Sequence, residues 1–341
     1  MTLYIEPGRP INLGPLVPLG EGGQGVVLGL LDEPGVCFKF FLEPSEDLDR
    51  RVNGLLKQRP TEWPDGGEQV IAWPKWPLRD ETGRIRSVVL PRFDGASLYA
   101  LFDADQRLEF LDHPTWATCL QAAIRISSIY RQLHRVDVVI GDVSPNNLIV
   151  DRSGRVALID CDSVQFVDDW SREVFPADMA TREYCSPEAL GSPARHLAPS
   201  HDLFGMAILL CQLLMDGDHP FEGRPLRGPD HGVEGNIREG TSALFTPERL
   251  VPVAGRLDLR VLPRVVQQLA FRALSQGHTH PHVRPSAAEW ERVLRGVLND
   301  LLGCPRNANH FFPAALGPCP WCARYDAGIA DHFPSGSRGL R

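Results

Sequence analysis

The sequence predicts an α+β fold in two lobes, a small β-rich N-terminal part and a larger helical part. Three observations predict it. From about Leu16 to Phe93 the chain is a series of short apolar runs: Val26-Val27-Leu28, Val36-Cys37-Phe38-Lys39-Phe40-Phe41 and Ser87-Val88-Val89-Leu90. Gly, Pro or charged turns separate them. After Asp94-Gly95 the spacing becomes helical, with Trp116, Leu120, Ala123, Ile124, Ile126, Ile129, Tyr130 and Leu133 on one stretch. The length of 341 residues and a hydrophobic share of 43% suit a folded two-part protein rather than extended disorder.

In chain order, a helix is expected between Ser45 and Leu56, with Ser45 as N-cap and acidic residues in its first turn. Pro60 to Pro77 should be loop with an extended segment. Helices follow at Thr115 to His134, Asp202 to Met215 (largely buried), Val261 to Leu274 and Ser286 to Leu302. Between them, Leu148-Ile149-Val150 and Val156-Ala157-Leu158-Ile159 flank the turn Arg152-Ser153-Gly154-Arg155 as two short strands. Gly223 to Arg260, rich in Gly, Pro and charge, is expected to be an ordered loop or insertion. Pro334 to Arg341 should be a frayed tail.

The formal charge of −8 does not favour a general nucleic-acid-binding surface. No basic-then-apolar leader opens the chain. The longest apolar run, near Phe204 to Met215, is shorter than the roughly 20 residues a bilayer needs. No membrane association is therefore expected, and a cytoplasmic location is. Of the eight cysteines, Cys37, Cys119, Cys161, Cys185 and Cys211 are scattered and suit a reducing compartment.

Leu19-Gly20-Glu21-Gly22-Gly23-Gln24-Gly25-Val26-Val27 contains G-x-G-x-x-G-x-V. Glycines let backbone N–H groups approach phosphate oxygens. A dinucleotide-binding loop of this spacing opens a helix. Here strand-like residues follow, which favours a β-hairpin flap over phosphates. Lys39 lies on the next strand among Phe38, Phe40 and Phe41, where nucleotide phosphates would partner it. The only other lysines are Lys57 and Lys75. Asp142, Asn147 and Asp160 gather a base, an amide and a second carboxylate around the short hairpin. That set equips a site for phosphoryl transfer, where Mg²⁺ offsets phosphate charge and a carboxylate orients a hydroxyl.

Taken in order, these motifs resemble the eukaryotic-type Ser/Thr protein kinases, in a divergent bacterial form, across almost the whole chain. Gly20, Gly22, Gly25 and Val27 resemble the flap and Lys39 the strand lysine. Val88 to Phe93 resembles the hinge. Ile140-Gly141-Asp142-Val143-Ser144-Pro145-Asn146-Asn147 fills the place of H-R-D-x-x-x-x-N, and Asp160-Cys161-Asp162 that of D-F-G. Thr181 to Glu188 resembles T-x-x-Y-x-A-P-E, and Arg284 the late arginine that pairs with Glu188. The resemblance implies a bilobal kinase fold divided at 1–93, 94–302, 303–324 and 325–341. It implies ATP and Mg²⁺ as cofactors and protein Ser/Thr hydroxyls, including the chain's own, as substrates. Residues 19–25 (Leu19, Gly20, Glu21, Gly22, Gly23, Gln24, Gly25) with Val27 and Lys39 would hold the nucleotide. Asp142 would act as catalytic base, Asn147 and Asp160 as Mg²⁺ ligands, and Thr181 as the substrate platform.

Four departures stand out. Ile140-Gly141 replaces His-Arg, so a phosphorylated activation loop lacks a charge partner there. Ser144 stands where a lysine usually approaches the transferred phosphate. Cys161-Asp162 replaces Phe-Gly and removes a hinge glycine. The helix glutamate that should pair with Lys39 is replaced by a choice among Glu46, Asp47 and Asp49, with Asp49 preferred. A pseudokinase-like ATP-binding module, or a small-molecule phosphotransferase with its H-G-D loop, remains as the alternative.

Near the C-terminus, Cys304, His310, Cys319 and Cys322 have the spacing C-x5-H-x8-C-x2-C. Three thiolates and an imidazole suit tetrahedral structural Zn²⁺, which would order a segment too short for its own core. Similar knuckles end some bacterial kinases. A redox Cys-Pro-Trp-Cys pair would need a strand–helix setting. His278, His280 and His282 read as polar surface.

Overall fold

The computed structural model describes residues 2–6, 9–58, 70–177, 180–191 and 196–335. The N-terminal lobe is a seven-stranded antiparallel sheet. Its strands are β1 (Leu3–Glu6), β2 (Arg9–Ile11), β3 (Leu16–Gly22), β4 (Gly25–Leu30), β5 (Val36–Phe41), β6 (Trp76–Arg79) and β7 (Ile85–Pro91), in the order β2-β1-β6-β7-β5-β4-β3. Branched and aromatic residues favour this pleated surface. Helix α1 (Glu46–Lys57) covers one face, burying Val52 against Cys37, Phe41, Ile85, Val88 and Leu90. Ser45 caps it, its hydroxyl accepting the Leu48 N–H at 3.1 Å, with acidic residues in the first turn as expected.

The larger lobe is helical. Helix α2 (Ala104–Phe110) leads into α3 (Trp116–Arg135), then α4 (Pro187–Gly191) and α5 (Pro199–Leu214). Helix α5 is buried from His201 through Leu214 and forms the centre of the main core with α3 and the helix Ala287–Asn299. The segment Arg264–Phe271 continues through a π-helical turn at 272–276. Strand β8 (Ala96–Ser97) joins β9 (Leu148–Val150) and β10 (Val156–Leu158) in a small sheet between the lobes. The predicted hairpin forms with Val150 opposite Val156 and Leu148 opposite Leu158.

Three expectations need correction. The segment 223–260 is not simply loop: it holds the helix Gly232–Glu239 and a strand pair, Arg224–Pro225 with Leu250–Val251. Its helix ends at Gly240, whose φ of +66° gives the left-handed cap that glycine adopts freely. The boundary at 302/303 falls inside a hairpin, because Leu301–Gly303 pairs with Phe311–Pro313. Residues 326–335 are not a free tail, since Phe333 is 1% exposed, with its ring against Trp321 and beneath the Arg107 guanidinium. Of the loop expected at 60–77, residues 60–69 lie outside the described residues, as do residues 336–341 of the expected frayed end.

Candidate active site

Asp142 lies on the turn that leads into β9. Gly141 beside it has φ +75°, and a Cβ there would sit 2.3 Å from Ala177 Cβ. The position therefore excludes an arginine for two reasons, backbone conformation and space. The loop hangs from α5. Fully buried Asp202 accepts the N–H groups of Ile140 (2.8 Å) and Gly141 (2.9 Å) and the His134 Nε2–H (2.9 Å). His201 donates Nε2–H to the Gly141 carbonyl at 3.0 Å and accepts from the Ser186 hydroxyl at 2.9 Å. That carbonyl can only accept, which fixes the tautomer.

The Asp142 carboxylate is held from two sides. Oδ1 accepts the Thr181 N–H (2.7 Å) and hydroxyl (2.8 Å). Asn147 Nδ2 donates to the Asp142 carbonyl at 2.9 Å and to Oδ2 at 3.2 Å. A carboxylate locked this way is preorganised to orient a hydroxyl. Ser144 is buried, and its hydroxyl accepts the Asn146 N–H. It is spent on the turn.

On β5, Lys39 is buried and ion-paired with both Asp160 and Asp162. The Asp162 carboxylate lies 2.8 Å from Nζ and is buried, whereas the Asp160 side chain is 37% exposed. Burial alone would lower the Lys39 pKa, but Asp162 and Asp160 together raise it above the usual lysine value. Burial, joined by Asp160, pushes the Asp162 carboxyl up despite Lys39. The two shifts pull the pair's proton in opposite directions. We place the charge on Lys39, because two carboxylates face one ammonium and the excess negative charge falls on the acids. Asp160 also takes φ +61°, a strained conformation for a non-glycine residue.

The preference for Asp49 as the Lys39 partner is not met. Asp49 instead accepts the Arg84 guanidinium at 2.8 Å and the Ile85 N–H at 2.9 Å. Glu46 also reaches Arg84, and Asp47 pairs with Arg50. The α1 residue that reaches across is Arg51. It donates to the carbonyls of Asp162 (2.6 Å), Val164 (2.5 Å) and Pro176 (2.9 Å). On the same side, a Cβ on Gly54 would meet the Phe166 ring at 2.8 Å, so α1 sits tightly on β11 (Phe166–Val167), which pairs with β12 (Val174–Phe175).

The glycine motif forms the expected hairpin, with β3 and β4 joined at Gly22 opposite Gly25. A Cβ on Gly20, Gly22 or Gly23 would meet nothing within 4 Å. Packing does not demand glycine there, and the open face leaves room for close approach by a ligand. Gly25 differs: its Cβ would lie 2.3 Å from the Phe40 carbonyl. Leu19 is exposed and Val27 packs against the α1-side cluster.

The four C-terminal ligand candidates converge. One ligand atom each of Cys304, His310, Cys319 and Cys322 lies within 4.8 Å of the others. Cys304 Sγ and Cys322 Sγ are 3.5 Å apart, and His310 Nδ1 is 3.6 Å from Cys319 Sγ and 3.5 Å from Cys322 Sγ. All eight cysteines are free thiols. Asp331 holds the other ring nitrogen, with Nε2 to Oδ1 at 2.8 Å, and so turns Nδ1 toward the sulfurs. His280 and His282 stack edge to face, and His278 donates Nε2–H to the Ile237 carbonyl at 2.6 Å.

Sequence reasoning singled out Asp142, Asn147, Asp160, Lys39 and Thr181: Asp142, Asn147 and Thr181 share hydrogen bonds, Lys39 pairs with Asp160, and the Ile159 N–H reaches the Asn147 carbonyl at 2.8 Å between the two groups. The Glu188–Arg284 pair also forms as expected, bidentate at 2.6 and 2.8 Å. It missed the roles of Asp202, His201, Arg51, Asp162 and Asp331. Asp202 and His201 carried a signal: polar residues opening an otherwise apolar helix.

The protein kinase domain family model matches residues 89–247. Over 341 residues the chain is 27% identical to Protein kinase YegI of Escherichia coli strain K12, covering 96% of this chain and 51% of that protein. It is 26% identical over 340 residues to the protein of the same name in Escherichia coli O157:H7, again 96% and 51%. It is 29% identical over 138 residues to Serine/threonine-protein kinase PSK2 of Saccharomyces cerevisiae, 40% of this chain and 11% of that one. The chain spans about half the length of the Escherichia coli relatives it matches. The chain is thus similar to protein kinases over residues 89–247 and to the Escherichia coli kinases along nearly its whole length. No helix among the described residues is long and apolar enough to cross a membrane.

Proposed function

We propose that the chain is an ATP- and Mg²⁺-dependent Ser/Thr protein kinase with a C-terminal structural zinc site. The observation that carries this is the Asp142 carboxylate, held by Thr181 and by Asn147, whose carbonyl takes the N–H of Ile159, the residue before Asp160. The residues suit Mg-ATP. Two carboxylates against one ammonium leave net negative charge for a divalent cation to neutralise. Asn147 spends Nδ2 on Asp142, so its amide oxygen is the atom it offers a cation. Asp160 and Asn147 would hold Mg²⁺, which neutralises phosphate charge. Lys39 and the open flap would take the phosphates. Asp142 accepts the proton of the attacking hydroxyl or orients it. The preference for Ser/Thr rests on Thr181 beside Asp142 and on the name of the yeast relative.

Purified protein with labelled ATP should phosphorylate itself or a generic protein substrate, and Asp142→Asn should abolish this. Turnover surviving in that variant sinks the assignment. The inward-turned Ser144 favours a second reading, a nucleotide-binding module without turnover. Mg-ATP binding with no transfer across many substrates would select it.

The knuckle fits zinc on its own geometry. A tetrahedron of Zn–S bonds near 2.3 Å has edges of about 3.8 Å, close to the observed 3.5–3.6 Å separations. Cys304, Cys319, Cys322 and His310 Nδ1 would hold the ion. Elemental analysis should find about one zinc per chain, as for a single four-ligand site. Cys319→Ser/Cys322→Ser should lose it, and metal-free wild-type protein would refute the site.

A further inference from the structure

We infer that Asp162 is the residue that positions Lys39 for the nucleotide, taking the part played elsewhere by a carboxylate on the helix of the small lobe. The inference rests on the kinase reading above and names a device within that site. Three observations carry it. Lys39 and Asp162 are both buried, with the ammonium 2.8 Å from the carboxylate. Each acid of α1's first turn is committed elsewhere: Asp49 to Arg84 and the Ile85 N–H, Glu46 to Arg84, Asp47 to Arg50. The α1 face toward β5 is apolar, with Leu48 and Val52 packed among Cys37, Phe41 and Val88. No acid from that helix can reach Lys39 without leaving a formed pair or entering an apolar cluster.

The acid's backbone is also held. Arg51 donates to the Asp162 carbonyl and to Val164 and Pro176 beyond it. The chain of contacts therefore runs from α1 through Arg51 to the Asp162 backbone, and from its carboxylate to Lys39. A helix-borne glutamate links helix and lysine directly. Here the link passes through the segment that also carries Asp160. A buried lysine needs a fixed counter-charge to stay aimed when Asp160 is drawn to a cation. Asp162 is buried deeply enough to remain with it.

The test uses the full chain and compares Asp162→Asn with Asp49→Asn. With Mg-ATP and a generic protein substrate, Asp162→Asn should lose about 10- to 100-fold in kcat/KM, the scale of one hydrogen bond to a charged group. Asp49→Asn should stay within about twofold of wild type, although it loses the Arg84 pair. A second readout needs no turnover. The chain has three lysines, so labelling with an amine-selective acylating reagent can be read by peptide mass spectrometry at Lys39, with Lys57 and Lys75 as internal references. Losing Asp162 should label Lys39 about tenfold faster, the scale of one hydrogen bond to a charged group. Asp49→Asn should leave that rate unchanged. Equal behaviour of Asp162→Asn and wild type in both assays, or a larger loss in Asp49→Asn, overturns the inference. A wild-type chain that transfers no phosphate overturns the kinase reading instead, and the Lys39 labelling then shows separately whether the Asp162 pair exists.

Discussion

At Gly141 a single residue decides which side chains the Asp142 loop can carry. Its φ of +75° costs a non-glycine residue about 1–2 kcal/mol. Ala177 occupies the space where a side chain would begin, and overpacking there adds about 1–3 kcal/mol. Gly141→Arg should therefore lower stability by roughly 2–5 kcal/mol in urea titration without conferring dependence on a phosphorylated loop. An unchanged denaturation midpoint would show that Ala177 and the backbone yield. The absence of arginine was plain in the sequence; the reason for it was not, because the φ angle and the approach of Ala177 arise from tertiary packing. Asp162 taught the same lesson. The letters showed that a glycine had gone, but which acid meets Lys39 depends on how far α1 stands from β5.

Elements explain the neighbouring Gly217-Asp218-His219-Pro220-Phe221 turn, which follows α5. His219 is buried, accepting the Phe221 N–H on Nδ1 at 3.1 Å and donating Nε2–H to the Glu183 carbonyl at 3.0 Å. Burial pushes its pKa down to about 3. The sign follows directly. The folded pKa lies below the unfolded value near 6.5, so this stability is complete above 6.5 and is lost as pH falls toward 3. The slope is roughly 1.4 kcal/mol per pH unit in that window. His219→Asn should be less stable at pH 7.5 but show a flatter decline between pH 6.5 and 4.5 by urea denaturation. Parallel slopes would assign the acid sensitivity elsewhere. Most elements here were legible, since apolar periodicity sets α3 and α5 and Ser45 announces α1. The helix Gly232–Glu239 was not: its Gly and charge content masks a face that buries Ile237 and Asn236.

For the whole molecule, the C-terminal segment acts as a strap rather than an appendage. Trp321 packs against Trp116 at the start of α3, and Phe333 lies over Arg107. Arg107, fully buried, pairs with Asp216 at 2.9 Å, and His332 reaches the same carboxylate. On the zinc reading proposed above, stripping the metal should then do more than loosen residues 304–322. It should free Asp331 and the segment behind it, lowering the melting temperature of the helical lobe, an effect that binding to the folded state alone requires. A calorimetric trace unchanged by chelation would separate the knuckle from the lobe. The cluster of Cys304, His310, Cys319 and Cys322 was legible from spacing. The docking was not, because Trp321, Asp331, His332 and Phe333 gain meaning only when the chain end meets α3 and Arg107.

Arg51 grips the segment from Asp162 to Pro176 by three main-chain oxygens. Every amino acid offers the same carbonyl, so this grip does not depend on which side chains the segment carries. The path of the segment should therefore tolerate sequence drift at its outward positions, such as exposed Trp170 and Ser171. A saturation library across 169–172 should keep its fold far more often than one at the single position Arg51.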